Sequence, residues 1–153
     1  MPWSSSVLTA ALVVLALAGP ARAGVPDWLR EAARMSLPQY EKTTEAVMLL
    51  DEHLTTVSSN GEIKTLYRRA YKILRPEGRS YGTLTVYFDS ETQLTYLKAW
   101  CLTAQGDEYE KKEKDAIEAG VEDGFLYADT RYKALVIPAA EAGNVIEIGR
   151  AHV

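Results

Sequence analysis

Thr83-Leu84-Thr85-Val86-Tyr87-Phe88-Asp89 decides the fold class. Leu84, Val86 and Phe88 fall on one side, and Thr83, Thr85 and Tyr87 on the other. That period of two is what a strand with one face in a core and one in water requires. The next run, Leu94 to Thr103, is apolar on both sides, with Leu94, Tyr96, Trp100 and Leu102 opposed to Leu97, Ala99 and Cys101. A strand covered on both faces belongs inside a layered β structure rather than on a sheet open to water. Gln105-Gly106-Asp107 then turns the chain.

Working outward, Ala46 to Val57 and Glu62 to Leu74 are two runs rich in β-branched and aromatic residues, separated by Ser58-Ser59-Asn60-Gly61. Asn-Gly between such runs predicts a hairpin with a tight I′ turn, in which both central residues take positive φ. Arg75-Pro76-Glu77-Gly78 closes the second run. Downstream, Glu108 to Glu118 is mostly charged and reads as an edge strand protected by its charges. Tyr132 to Ile137 is a further strand stopped by Pro138, and Asn144 to Ile146 begins another that the sequence leaves unfinished. Upstream, Trp28, Leu29, Ala32 and Met35 recur at helical spacing, with Asp27 and Glu31 in the first turn, which predicts a short amphipathic helix. Pro38 ends that helix and a linker follows to about residue 44. The expected fold is mainly β, an antiparallel sandwich-like domain over residues 45–147.

Both termini carry signals of another kind. Val7 to Ala18 is an uncharged apolar run, followed by Gly19-Pro20 and the small-residue pattern Ala21-Arg22-Ala23. This predicts a signal peptide over residues 1–23, cleaved after Ala23, because the run is shorter than the ~20 residues a spanning helix needs. No Lys or Arg precedes the run. Export and a soluble product in the periplasm or outside the cell are thus expected, with no membrane attachment after cleavage. Glu147-Ile148-Gly149-Arg150-Ala151-His152-Val153 reads like the translation of a common sequencing-library adapter. On that reading residues 148–153 are foreign, His152 carries no function, and the β domain is C-terminally incomplete and poorly soluble by itself.

The charge balance, 17 Lys and Arg against 21 Asp and Glu for a net −4, supplies no field to gather nucleic acid. With one cysteine in 153 residues, no internal disulfide can form. Thiol catalysis would have to use Cys101 with His53, but Cys101 lies between Trp100 and Leu102, where a thiol behaves as a small buried hydrophobe. Asp51, Glu52 and His53 are consecutive, so strand alternation leaves two of them on one face, too few to hold a metal. No cofactor loop or catalytic motif is present, and no catalytic, cofactor or metal residue is expected. Asp129 and Arg131 are the candidate site residues: two apart before a strand, they could clamp a turn or dock a ligand or a neighbouring domain. Tyr67, Tyr71, Tyr87 and Tyr96, all in expected strands, suit contact with a peptide or glycan as well as packing across strands.

The order of these signals resembles the bacterial domain of unknown function 3857, DUF3857. The resemblance is carried by Ala46-Val47-Met48-Leu49-Leu50 leading to Asn60-Gly61, Tyr71-Lys72-Ile73-Leu74 followed by Gly78, and Leu97-Lys98-Ala99-Trp100 running to Gly106. Leu126-Tyr127-Ala128-Asp129-Thr130-Arg131 then leads through Val136-Ile137-Pro138 to Gly143-Asn144-Val145-Ile146-Glu147. It implies an exported β-sandwich-like domain N-terminal to a transglutaminase-like domain, and it brings no catalytic residues. The function expected is a non-catalytic binding or scaffolding module. The alternatives are an accessory piece of an extracytoplasmic thiol protease or transglutaminase, and a stand-alone thiol enzyme built on Cys101.

Overall fold

A computed structural model describes residues 24–121 and 129–153. The signal-peptide reading of residues 1–23, and the Leu126-Tyr127-Ala128 part of the family pattern, lie outside the described residues. Among the described residues eight strands form two antiparallel sheets: β1 (Ala46–Val57), β2 (Ile63–Ile73), β3 (Thr83–Phe88), β4 (Leu94–Leu102), β5 (Glu108–Lys112), β6 (Ile117–Gly120), β7 (Arg131–Val136) and β8 (Val145–His152). The larger sheet has the order β1-β2-β8-β4-β5 and the smaller β3-β7-β6. The mainly β, two-sheet expectation is met.

The hairpin between β1 and β2 forms where Asn60-Gly61 placed it, with a different turn. Only Gly61 has positive φ, at 85°. Gly61 N–H bonds the Ser58 carbonyl and Ser58 N–H the Glu62 carbonyl, both at 2.9 Å. This is the three-residue loop that joins an ordinary turn to one left-handed glycine, rather than the I′ turn that needs two positive φ values. The same device recurs between β4 and β5. There Gly106 has φ 97°, and it closes on Thr103, which pairs with Asp107 at 2.9 Å.

The charged run after Gly106 resolves into two edge strands. β5 borders the large sheet, the Glu113–Asp115 turn crosses between layers, and β6 borders the small sheet. Charges suit both positions because an edge strand meets water along one side.

The largest departure concerns the last strand. β8 runs past Ile146 to His152 and is central, paired with β2 from Thr65↔His152 to Lys72↔Val145 and with β4 from Leu94↔His152 to Leu102↔Val145. Residues 148–152, inside the adapter-like stretch, supply five of the eight β8 positions in each ladder, and Ile148 and Ala151 are buried there. Gly149 lets the Tyr96 ring cross the backbone, since a Cβ there would come within 2.9 Å of Tyr96 Cε1.

Two cores result. Between the sheets lie Ile73, Val86, Leu97, Ala99, Cys101, Leu135, Ile146 and Ile148. On the opposite face of the large sheet, α1 (Asp27–Arg34) buries Leu29 against Ala70, Trp100, Leu102 and Val145. Met35, expected on the buried side, ends the helix and is 63% exposed. A salt bridge of Arg30 Nη2 to Glu108 Oε1 at 2.7 Å ties α1 to β5.

Candidate functional site

The small sheet covers only part of the large one. Over β4, β8 and the Ile73 end of β2 the inner face is closed by β3 and β7, whereas over most of β1 and the rest of β2 it stays open. There Met48, Val57 and Ile63 are exposed. Where closed meets open runs a groove of about 450 Å³. Its floor is one face of β2, presenting Tyr67, Arg69 and Tyr71, together with Ile148 and Arg150 of β8. Alternation puts every second residue of β2 on that face. One wall is Thr83, Leu84 and Thr85, three consecutive residues of β3. Neighbours in a strand point to opposite faces, so three in a row line a groove only from the strand's edge.

The groove is aromatic and basic. Tyr71 and Tyr81 rings lie 4.9 Å apart, and the Arg150 guanidinium sits 4.9 Å over the Tyr67 ring. Arg69 Nε bonds Asp51 Oδ1 at 3.0 Å, and this bond, with a smaller contribution from Tyr71, raises its pKa above the ordinary value. No carboxylate is among the lining residues. At Tyr67 and Arg150 the groove borders a second hollow lined also by Tyr87, Glu91 and His152.

The other candidates are separate from it. Asp129 Oδ2 accepts from Ser90 N–H at 3.1 Å, which holds the β3–β4 turn and lowers the Asp129 pKa. Arg131 Nη2 pairs with Glu118 Oε1 at 2.8 Å across β6 and β7. Both are exposed, and each is engaged with its own neighbour rather than with the other. Cys101 is fully buried, its thiol 3.3 Å from the Ala139 carbonyl, and burial pushes its pKa up to about 11. His53 lies on β1, edge-on to Tyr67 at 4.5 Å and 3.4 Å from Asp51. With β2 and β8 between β1 and β4, Cys101 and His53 are separated by three strand spacings, about 14 Å across the sheet, and are further offset along the strands, Cys101 lying level with Tyr71 and His53 with Tyr67. Among the described residues no cluster of His, Cys, Asp and Glu could hold a metal ion, and no helix is long and apolar enough to cross a membrane.

The residue that sequence reasoning passed over is Glu147. It is fully buried on the α1 face of β8, with Oε1 3.1 Å from Arg68 Nε, while Arg68 reaches Glu52 Oε2 at 3.0 Å and lies 4.9 Å from the Trp28 ring. Desolvation raises the Glu147 pKa and outweighs Arg68, which lowers it. Glu147 Oε2 and Trp100 Nε1 are buried with no hydrogen-bond partner, on residues that face each other across β8 and β4. A lone acid in an apolar strand was the available signal, masked by its place at the adapter-like junction.

The fold and the groove define a class: a two-sheet antiparallel β domain with an aromatic, basic cleft and a buried thiol. The model of the domain of unknown function DUF3857, a domain with a solved structure, matches residues 59–150, and the chain belongs to that family. None of the curated proteins matches in sequence. A 2.00 Å crystal structure of a "putative protease" from Parabacteroides distasonis ATCC 8503 is similar in fold, with a TM-score of 0.62 at 13% identity over 71% of this chain. The chain spans 23% of the length of that structure.

Proposed function

We propose that this chain is the non-catalytic binding domain of an exported protein, holding an extended ligand, peptide or glycan, for a transglutaminase-like catalytic domain further along a longer polypeptide. The observation that carries the reading is the groove: tyrosines and arginines with no lining carboxylate, on a chain whose net charge is −4. Tyrosines supply contact area at low entropic cost and arginines supply oriented charge. The thiol at Cys101 is held protonated in the core, so chemistry belongs to other parts of the protein.

The apolar run and Ala21-Arg22-Ala23 support export, with cleavage after Ala23. Asp129 and Arg131 sit at the far end of β7 from the groove wall and are assigned to docking of the neighbouring domain. The test is deletion of residues 24–153 from the intact protein. Turnover of a polypeptide substrate should fall at least tenfold while turnover of a small synthetic substrate is retained. Equal loss on both substrates, or none on either, contradicts a binding role.

A further inference from the structure

Among the described residues β3 is the border of the small sheet and pairs only with β7, from Thr83↔Val136 to Phe88↔Arg131. Ile137 N–H bonds the Gly82 carbonyl at 2.8 Å, which fixes the phase of the ladder. In an antiparallel pair, residues alternate between exchanging bonds with the partner and turning both backbone groups away. Gly82, Leu84 and Val86 therefore bond towards β7, and Thr83, Thr85 and Tyr87 turn theirs to the other edge. Thr83 N–H is taken by the Ser80 carbonyl. Thr85 presents both N–H and C=O, and Thr83 its C=O, to the groove, and Tyr87 presents both to the adjoining hollow.

That free edge stands over a floor that the small sheet fails to cover, and the floor carries Arg69 between Tyr67 and Tyr71. Asp51 occupies Nε of Arg69. Arg150 has no carboxylate partner among the described residues. Long, accessible edges are usually blunted by a charged side chain, a proline or a bulge. β3 has none of these over Thr83–Phe88, although its partner β7 pairs in full register.

We propose that the groove takes an extended acidic peptide as an added fourth strand of the small sheet, hydrogen-bonded to Thr85 and Tyr87, with alternate side chains on the Tyr67–Arg69–Tyr71 floor and a carboxylate on Arg69. This deepens the binding role proposed above and rests on it for the source of the peptide, the protein substrate. Main-chain bonds supply affinity and the floor supplies preference, as in other strand-addition sites. A glycan could use the tyrosines but not the backbone edge.

The test uses a short fluorescein-labelled peptide of alternating valine and glutamate, read by fluorescence anisotropy. The same peptide N-methylated at alternate residues, and a valine–lysine counterpart, should each bind at least tenfold more weakly. Arg69→Gln should weaken the acidic peptide about tenfold, in the range of a charge-assisted hydrogen bond, and leave the lysine peptide unchanged. Thr85→Pro removes one edge N–H at a position where proline is tolerated, and should abolish binding while circular dichroism stays that of the parent. Equal binding of the N-methylated peptide overturns strand addition, and equal binding of the lysine peptide overturns the charge preference. Peptide-insensitive dimerisation in sedimentation would give the edge to a second copy and overturn the proposal. If no peptide binds yet deletion of the domain still impairs turnover of polypeptide substrates, the inference fails and the broader binding role stands.

Discussion

The two halves of the large sheet differ in what their inner faces meet. Over β4 and β8 the residues are Leu97, Ala99, Cys101, Ile146 and Ile148, none more than 9% exposed. Over β1 and β2 they are Met48, Val57 and Ile63, each 48% exposed or more, with Tyr67, Arg69 and Tyr71 along the boundary. The same sheet is a core on one side and a surface on the other. Stability therefore concentrates in the closed half, and the recognition proposed above belongs to the open one.

Truncation should break the contrast most severely. A chain ending at Glu147 strips β2 and β4 of five ladder partners each, Ile148 to His152. Cooperative thermal unfolding should disappear, because the lost strand segment lies between two others. A sharp transition in that variant would show that β8 is dispensable.

Next come single substitutions in the closed half. Ile146→Ala should cost about 2–5 kcal/mol by opening a cavity in the inter-sheet core. Arg68→Ala leaves the Glu147 carboxylate buried without its partner and should cost about 3–5 kcal/mol in urea denaturation. The pair also has a pH signature. Burial raises the folded pKa of Glu147 above its ordinary value of 4.5. Its stabilising contribution is thus complete below the unfolded carboxylate range and declines as pH rises through the folded value. Glu147→Gln should flatten that decline in melts taken from pH 4 upward, and an unchanged profile would place the titration elsewhere.

Smaller effects belong to the exposed clamps. Asp129→Ala and Arg131→Ala should each shift stability by no more than about 1 kcal/mol, as exposed hydrogen bonds and ion pairs do. Loss of association with the neighbouring domain in either variant would confirm them as docking residues. In the open half, Tyr81→Ala should change the melting temperature least and weaken ligand binding.

The sequence made the closed half legible. The double-faced apolar pattern of Leu94 to Thr103 and the alternation of Thr83 to Asp89 are direct records of burial, and the structure returns both. It left β8 unread beyond Ile146, because the stretch from Ile148 reads as adapter-like and the two partner strands are over forty residues away in the chain. The groove was legible only in fragments. Tyr67 and Tyr71 stood out as strand tyrosines, but their union with Tyr81, Arg69 and the β3 edge depends on how far the small sheet reaches, which no local pattern encodes. Turn chemistry was half readable: Asn60-Gly61 located the hairpin, while the loop form depended on a single left-handed glycine.

Native-state amide exchange on the unliganded chain tests the open edge most directly. Leu84 and Val86 amides should be protected by β7, while those of Thr85 and Tyr87, lying between and beside them, should exchange near the rate of an unstructured peptide. Equal protection of Thr85 and Val86 would contradict the account, because it would mean that the β3 edge is already filled.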